Sequence, residues 1–111
     1  MEGTKIVAGE LAAAFGPVLT DSGFTLIGLF VQPARIVLAQ NLTDQTLIYS
    51  FDGSMNNFLL PPNGFLLLDV GTNKGTYNTA AMVQGNGLYV KAFPGSNPSL
   101  GYAYMSYWYA A

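Results

Sequence analysis

The side chains of this chain that could do chemistry are a few widely spaced acids. Asp44, Asp52 and Asp69 could form a carboxylate pair for acid and base catalysis, or a calcium site. A glycosidase holds two carboxyl groups across a sugar cleft, and a calcium loop alternates oxygen ligands over a short stretch. The spacing of these acids matches neither arrangement. We therefore interpret Asp44 and Asp52 as acceptors of local backbone hydrogen bonds in turns.

Asp69 and Arg35 each allow two interpretations. Asp69 lies inside the apolar run Phe65–Val70, where an unpaired carboxylate would be costly to bury. We favour a position at the end of a strand that faces solvent, and the alternative is an ion pair with Arg35 or with a lysine. Arg35 is either a solvated edge residue or an interface anchor that binds through two hydrogen bonds.

The chain contains no histidine and no cysteine. Histidine is the usual base near neutral pH, and histidine and cysteine are the usual partners of an activated nucleophile or a transition metal. We therefore predict no catalytic residue, no cofactor and no metal, and we expect that the protein is not an enzyme. The absence of cysteine leaves the redox compartment undetermined.

Charge and hydropathy limit the partners. Four cations stand against six acids, for a net charge of −2 and a pI of about 4.5. This is too little positive charge to bind a run of phosphates, so we predict no nucleic-acid partner. Mean hydropathy is +0.32, yet the most apolar run, Phe24–Val31, is far shorter than the ~20 residues of a membrane-spanning helix. We predict no membrane partner and, because the first residues do not resemble a secretion signal, synthesis in the cytoplasm.

Residues 1–33 differ in composition from the remainder, and we predict that they form an N-terminal arm and a first strand. Glu10–Phe15 could form one helical turn that Gly16 and Pro17 would end. Phe24–Phe30 is rich in aromatic and β-branched residues, which indicates a strand, with an edge position favoured by Pro33. We expect that removal of residues 1–20 leaves the rest of the single domain folded.

From residue 34 to residue 111 the sequence predicts the core of a β-sandwich. Short apolar runs recur about every ten residues between turn formers, which is typical of antiparallel β structure. We predict an all-β fold, an antiparallel sandwich or small barrel of about seven or eight strands. The predicted strands after the first are Arg35–Asn41, Leu47–Phe51, Phe58–Leu60, Phe65–Val70, Ala80–Gln84, Leu88–Phe93 and Tyr102–Tyr109.

Several of these strands are apolar on both faces. Successive side chains of a strand point to opposite sides, and both sides of the runs near Phe65, Ile36 and Tyr104 avoid charge. A sandwich buries one face of each sheet, so we expect the surplus apolar faces to contact another chain, including copies of this one. The predicted interface residues, from the arm and the aromatic last strand, are Phe15, Phe24, Leu29, Phe30, Arg35, Tyr107, Trp108 and Tyr109.

Short motifs follow one another in a fixed order between residues 34 and 109. They are Arg35–Asp44, Ile48–Gly53, Phe58–Pro61, Leu88–Lys91 and the closing strand from Gly101. The most specific elements are Asn-x-Thr-Asp at 41–44 and Ser-Phe-Asp-Gly at 50–53. Together the motifs resemble those of small β-sandwich virion proteins of tailed bacteriophages.

The resemblance implies a non-enzymatic virion structural protein. The leading expectation is a capsid decoration or cement protein, which stabilises the shell through apolar and aromatic contacts with the major capsid protein or other virion proteins. The first alternative is a head-to-tail connector or tail-associated protein. A third, from another class, is a host-surface or carbohydrate-binding module that uses the tyrosines as a platform. The implied location is the virion, after synthesis in the host cytoplasm.

Overall fold

A computed structural model describes residues 6–69 and 86–110 of the chain. These residues form nine antiparallel strands in two sheets, with one short 3-10 turn at Gly16–Val18. The prediction of an all-β antiparallel fold is confirmed, and the two sheets pack as a sandwich. The strands are β1 (Ile6–Ala8), β2 (Ala12–Phe15), β3 (Thr25–Leu29), β4 (Ala34–Thr43), β5 (Leu47–Ser50), β6 (Phe58–Leu60), β7 (Phe65–Asp69), β8 (Gly87–Ala92) and β9 (Gly101–Ala110).

The first sheet is organised around β9. On one side β9 pairs with β4 along most of its length, and β4 pairs in turn with β7. On the other side two short strands follow one another along β9, so that β1 pairs with the end of β9 and β2 with its beginning. These strands make a five-stranded sheet that is four strands wide.

The second sheet contains β3, β8, β5 and β6 in that order. β3 lies at its edge, as the sequence predicted, and its pairing with β8 shifts register between Leu26 and Gly28. A bulge of this kind adds a residue and twists an exposed edge. The predicted strands agree with β4 to β9 except at their ends, and the predicted strand Ala80–Gln84 lies outside the described residues.

One hydrophobic core lies between the sheets. The inner faces contribute small and branched residues from both layers, with Tyr49, Phe30 and Met105 among the largest buried side chains. The Tyr49 ring stacks on Phe58 at 4.9 Å between centroids, and its hydroxyl donates a hydrogen bond to the Gln40 carbonyl oxygen of the other sheet. Burial raises the pKa of this hydroxyl above its ordinary value of 10.0, so it remains a donor that links the two layers.

The N-terminal residues are part of the sandwich. The expected helical turn at Glu10–Phe15 is wrong, because Ala12–Phe15 forms β2, with Ala14 facing the core and Phe15 facing out. Within residues 6–19, only Gly16–Val18 is helical, and Leu19 directly after it is 0% exposed. Pairing with β9 outweighs the helical preference of the alanines, since helix stability of so short a segment is marginal.

A buried polar side chain closes the turn between β4 and β5. The Asn41 Nδ2 donates to the carbonyl oxygens of Gln45 at 2.8 Å and Leu60 at 2.9 Å. Its Oδ1 accepts from the backbone N–H of Thr43 at 2.9 Å and from the Thr43 hydroxyl at 2.7 Å. The amide thus uses both ends inside the protein, and it ties β6 to the end of β4.

The burial of Leu19 predicts that the N-terminal residues stabilise the domain. Leu19→Ala should lower the free energy of unfolding by about 2–5 kcal/mol, because it leaves a cavity in the core. Leu11→Ala, at a side chain that is 59% exposed, should change it by less than about 0.5 kcal/mol. Urea unfolding followed by Trp108 fluorescence measures both. Equal, small effects would mean that this segment is a separable arm after all.

The Asn41 amide should also matter for stability. Asn41→Ala removes the donor for Leu60 and the acceptor for Thr43, and each buried group left without a partner costs about 1–3 kcal/mol. We expect a loss of about 3 kcal/mol in the same unfolding experiment. The control is Asn56→Ala at an exposed position, and comparable losses in the two variants would contradict a special role for Asn41.

Candidate interaction surface

The side of the five-stranded sheet that points away from the core is the candidate functional surface, here called the outer face. Residues directly paired across antiparallel strands share a face, so the register sets its composition. Tyr104 pairs with Ala13 and Gln40, for example, and Gln40 pairs with Phe65. The outer face consists of Ile6, Ala8, Ala13, Phe15, Ile36, Leu38, Gln40, Leu42, Phe65, Leu67, Asp69, Tyr102, Tyr104, Ser106 and Trp108.

The outer face is apolar, accessible and almost without charge. Phe65 is 66% exposed and Leu67 is 56% exposed, and both lie in β7. Among the fifteen described residues that the pairing assigns to the outer face, Asp69, at one corner, is the only charged one. Scattered exposed apolar residues are ordinary, but a contiguous patch on this scale is typical of an interaction site.

Aromatic rings cluster at one end of the outer face. The Phe15 and Tyr102 rings lie 5.3 Å apart between centroids, and the Tyr102 and Tyr104 rings lie 5.8 Å apart. These tilted arrangements fall in the distance range of favourable ring pairs. The rings support one another in fixed positions, so a partner would meet a largely preorganised surface.

The predicted interface residues are divided between several places. Phe15 and Trp108 lie on the outer face. Leu29 is exposed at the edge strand β3, beside a groove of about 330 Å³ between β2 and β3. Phe24 is half-buried below the Lys91 ammonium group, which lies 4.7 Å from the ring centroid in the range of a cation–π contact. Arg35 is half-buried where the pairing of β4 with β9 shifts register.

Three of the predicted residues point inward. Phe30 and Tyr107 are buried in the core, and their rings meet edge to face at 5.4 Å. Tyr109 is partly buried and packs against the same core. The Tyr107 hydroxyl accepts a hydrogen bond from the Val31 backbone N–H. The Phe30 and Tyr107 side chains are therefore not accessible to a partner that docks on the folded protein, whereas Tyr109 remains partly exposed.

Tyr107 is held in place by a glycine. A Cβ at Gly9, between β1 and β2, would lie 2.4 Å from the Tyr107 ring, so only glycine leaves room for it. The Gly9 N–H also donates to the Tyr107 carbonyl oxygen at 2.7 Å. The aromatic ring therefore fills the junction where the two short strands succeed one another along β9.

The sequence singled out some, but not all, of the outer face. Strand alternation in β9 places Tyr102, Tyr104 and Trp108 on one side and Tyr107 and Tyr109 on the other, and the first set faces outward. The sequence places Leu38, Phe65 and Leu67 in apolar strands, but it does not show which side of the sheet each side chain occupies. Their assignment to the outward side required the pairing partners, because each strand is apolar on both sides.

The outward side of the four-stranded sheet is partly covered by the chain itself. The backbone at Gly53 lies against the Tyr89 ring, where a Cβ would be 3.3 Å from it. Lys91 is half-buried against Phe24, and Ile48 and Ser50 are buried. Leu59 is an exposed apolar residue on this side. The two sheets thus differ, and the outer face of the five-stranded sheet is the more open.

Asp44 holds the loop that leads into β9. Its carboxylate accepts hydrogen bonds from the Ser99 hydroxyl and from the Ser99 backbone N–H. These bonds, the hydroxyl first, hold the pKa of the Asp44 carboxyl below its ordinary value of 3.8. The expectation of a purely local turn contact is therefore wrong for Asp44, whose partner is distant in sequence. Gly101, with φ of +90°, then begins β9 directly against the Leu42 carbonyl oxygen.

Asp52 is the local turn acceptor that the sequence predicted. Its Oδ1 accepts from the backbone N–H groups of Met55 at 3.0 Å and Ser54 at 2.9 Å, and from the Ser50 hydroxyl at 2.8 Å. These bonds, with Met55 making the largest contribution, lower the pKa of Asp52 to about 2. Asp69 ends β7 and is exposed.

The described ranges 6–69 and 86–110 contain no group of three or more acids that could hold a metal ion. In the same ranges, no helix has the length and apolar character of a membrane crossing. Comparisons of the chain with protein-family models, with curated proteins and with solved structures find no match.

The lowered pKa of Asp52 predicts a pH dependence of stability. A carboxylate whose pKa is lower in the folded chain stabilises the fold above about pH 4 and loses that contribution as the pH falls towards 2. Asp52→Asn should therefore show a shallower decline of unfolding free energy between pH 4 and pH 2 than the wild type. Thermal unfolding across this range measures it. Identical slopes would contradict the assignment.

Proposed function

We propose that the protein is a non-enzymatic structural component of a phage particle, most specifically a capsid decoration or cement protein. The observation that carries the proposal is the outer face, a largely apolar surface whose fifteen assigned residues include one charged residue, Asp69, at a corner. Such a surface acts by being buried between chains, at about 25 cal/mol per Å² of apolar area removed from water.

To stabilise a shell, a protein needs only to bind the assembled capsid subunits in preference to the separate ones. A protein that binds joints between assembled subunits, and not the separate subunits, shifts the equilibrium towards the shell by mass action. Apolar burial suits this role because it needs no reacting group. The scarcity of charge on the outer face also favours partners with a comparably uncharged surface, since an unpaired charge is costly to desolvate.

The phage assignment itself is supported by the motif resemblance. Its two most specific elements each form a hydrogen-bonded cluster: Asn41 with Thr43, and Ser50 with Asp52. Both clusters close turns beside strands of the sandwich. The motifs therefore have a physical reason to occur together in proteins that share a small sandwich with these turns.

A head-to-tail connector is the second candidate, and copy number separates the two. Quantitative mass spectrometry of particles from the phage that encodes the chain should show on the order of hundreds of copies, as a shell lattice requires. About six or twelve copies would instead indicate a ring on the tail axis. Absence of the chain from purified particles would reject both.

Deletion of the gene should separate the two roles a second way. Particles that lack a decoration protein should retain their tails but release their DNA at a lower temperature, because the shell has lost a stabilising ligand. Expression of the wild-type chain from a plasmid should restore the release temperature. Particles that lack a connector should instead accumulate as separate heads and tails.

A further inference from the structure

We propose that the outer face pairs with the outer face of a second copy of this chain, in a two-fold symmetric dimer with sheet packed on sheet. This inference goes beyond the proposed function, because it concerns the free protein before it binds a particle. The outer face can contact only one partner at a time, so the dimer would have to dissociate before the same face bound a shell, and failure of the dimer leaves the proposed function standing. It rests on the size, the charge and the shape of the outer face.

The outer face is large enough for a stable dimer. β4 and β9 are ten-residue strands, each about 33 Å long, and four strands side by side are about 19 Å wide. Because β7 has five residues and covers only half of that length, the outer face presents roughly 550 Å² in projection. Two copies would bury about 1,100 Å², which is just above the roughly 1,000 Å² expected of a specific interface.

The outer face is chemically complementary to the outer face of a second copy. A partner that buries it must offer a surface of similar extent with almost no charge, because an unpaired charge in the interface would be costly. The outward side of the four-stranded sheet also has little charge, with Lys91 on it, but the chain partly covers that side at Gly53 and Phe24, so the outer face is the more open match. Gln40, Ser106 and the hydroxyl groups of Tyr102 and Tyr104 provide polar atoms that can bond across the interface or at its rim.

Symmetry and sheet geometry also fit. Two sheets with the same twist pack face to face with their strands within about 30° of each other, and identical sheets meet this condition automatically. If the two-fold axis runs parallel or perpendicular to the strands, each corner of one outer face lies opposite a different corner of the other outer face. The two Asp69 carboxylates, which lie at corners of the outer face, are then kept apart at the rim.

The protein contains an intrinsic fluorescence probe of the dimer contact. Trp108 is the single tryptophan, and it lies on the outer face, paired with Ile36 and Ala8. Sedimentation velocity of the purified chain should show a monomer that becomes a dimer as concentration rises from micromolar to millimolar. The Trp108 emission should move to shorter wavelength over the same range, because dimer formation removes water from the indole.

A matched pair of variants tests which face is used. Leu67→Glu places a charge on the outer face in β7, where the side chain is 56% exposed, and it should weaken the dimer by roughly a hundredfold or more. Leu59→Glu makes the same change in β6 of the other sheet, where the side chain is 54% exposed, and it should leave the dimer and the Trp108 shift unchanged.

The outcomes are decisive in either direction. A wild-type chain that stays monomeric, an assembly larger than a dimer, or a dimer that survives Leu67→Glu would overturn the proposal, as would equal loss in both variants. Circular dichroism checks that each variant is folded. If Leu67→Glu does not fold, Phe65→Lys, at the more exposed neighbouring position, takes its place with the same expected loss of the dimer.

Discussion

The structure depends on one constraint: the central strands β4 and β9 are apolar on both sides, and the chain's own second sheet can cover only one of them. The inward side is closed by β3, β8, β5 and β6, which build a single core with Tyr49 and Met105 at full burial. The outward side of the same strands keeps Leu38, Tyr104 and Trp108. In the proposed assemblies, another chain covers this second side and removes it from water.

Polar groups in this protein serve the fold. Asn41 is fully buried and uses both ends of its amide within the turn that joins the two sheets. Asp44 and Asp52 are acceptors that fix loops, and hydrogen bonds to the ionised form lower the pKa of each. In the part of the chain that the structure describes, these two acids therefore hold loops in place. The activity that we propose, association through buried apolar area, requires none of these polar groups to react.

The N-terminal segment illustrates how tertiary pairing overrides local preference. Residues 12–15 have alanine-rich helical character, yet they lie along β9 as a strand, because there each residue gains hydrogen bonds and Ala14 gains a place in the core. The same pairing puts Phe15 beside Tyr102 on the outer face. The interface role of this segment stays a prediction, and within β2 it applies to the side chains that alternate outward.

By itself, the sequence determined the fold class, most strand positions and the existence of an apolar surplus, because alternation and turn formers are local properties that short segments express alone. The partners of each strand, and hence the direction of each side chain, were decided by tertiary structure. Tyr107 and Trp108 are adjacent aromatic residues, and the sequence predicts an interface position for both. Tyr107 is buried beside Phe30, whereas Trp108 lies on the outer face. When both sides of a strand are apolar, its pattern carries no information about which side the second sheet will cover, and only packing settles that choice.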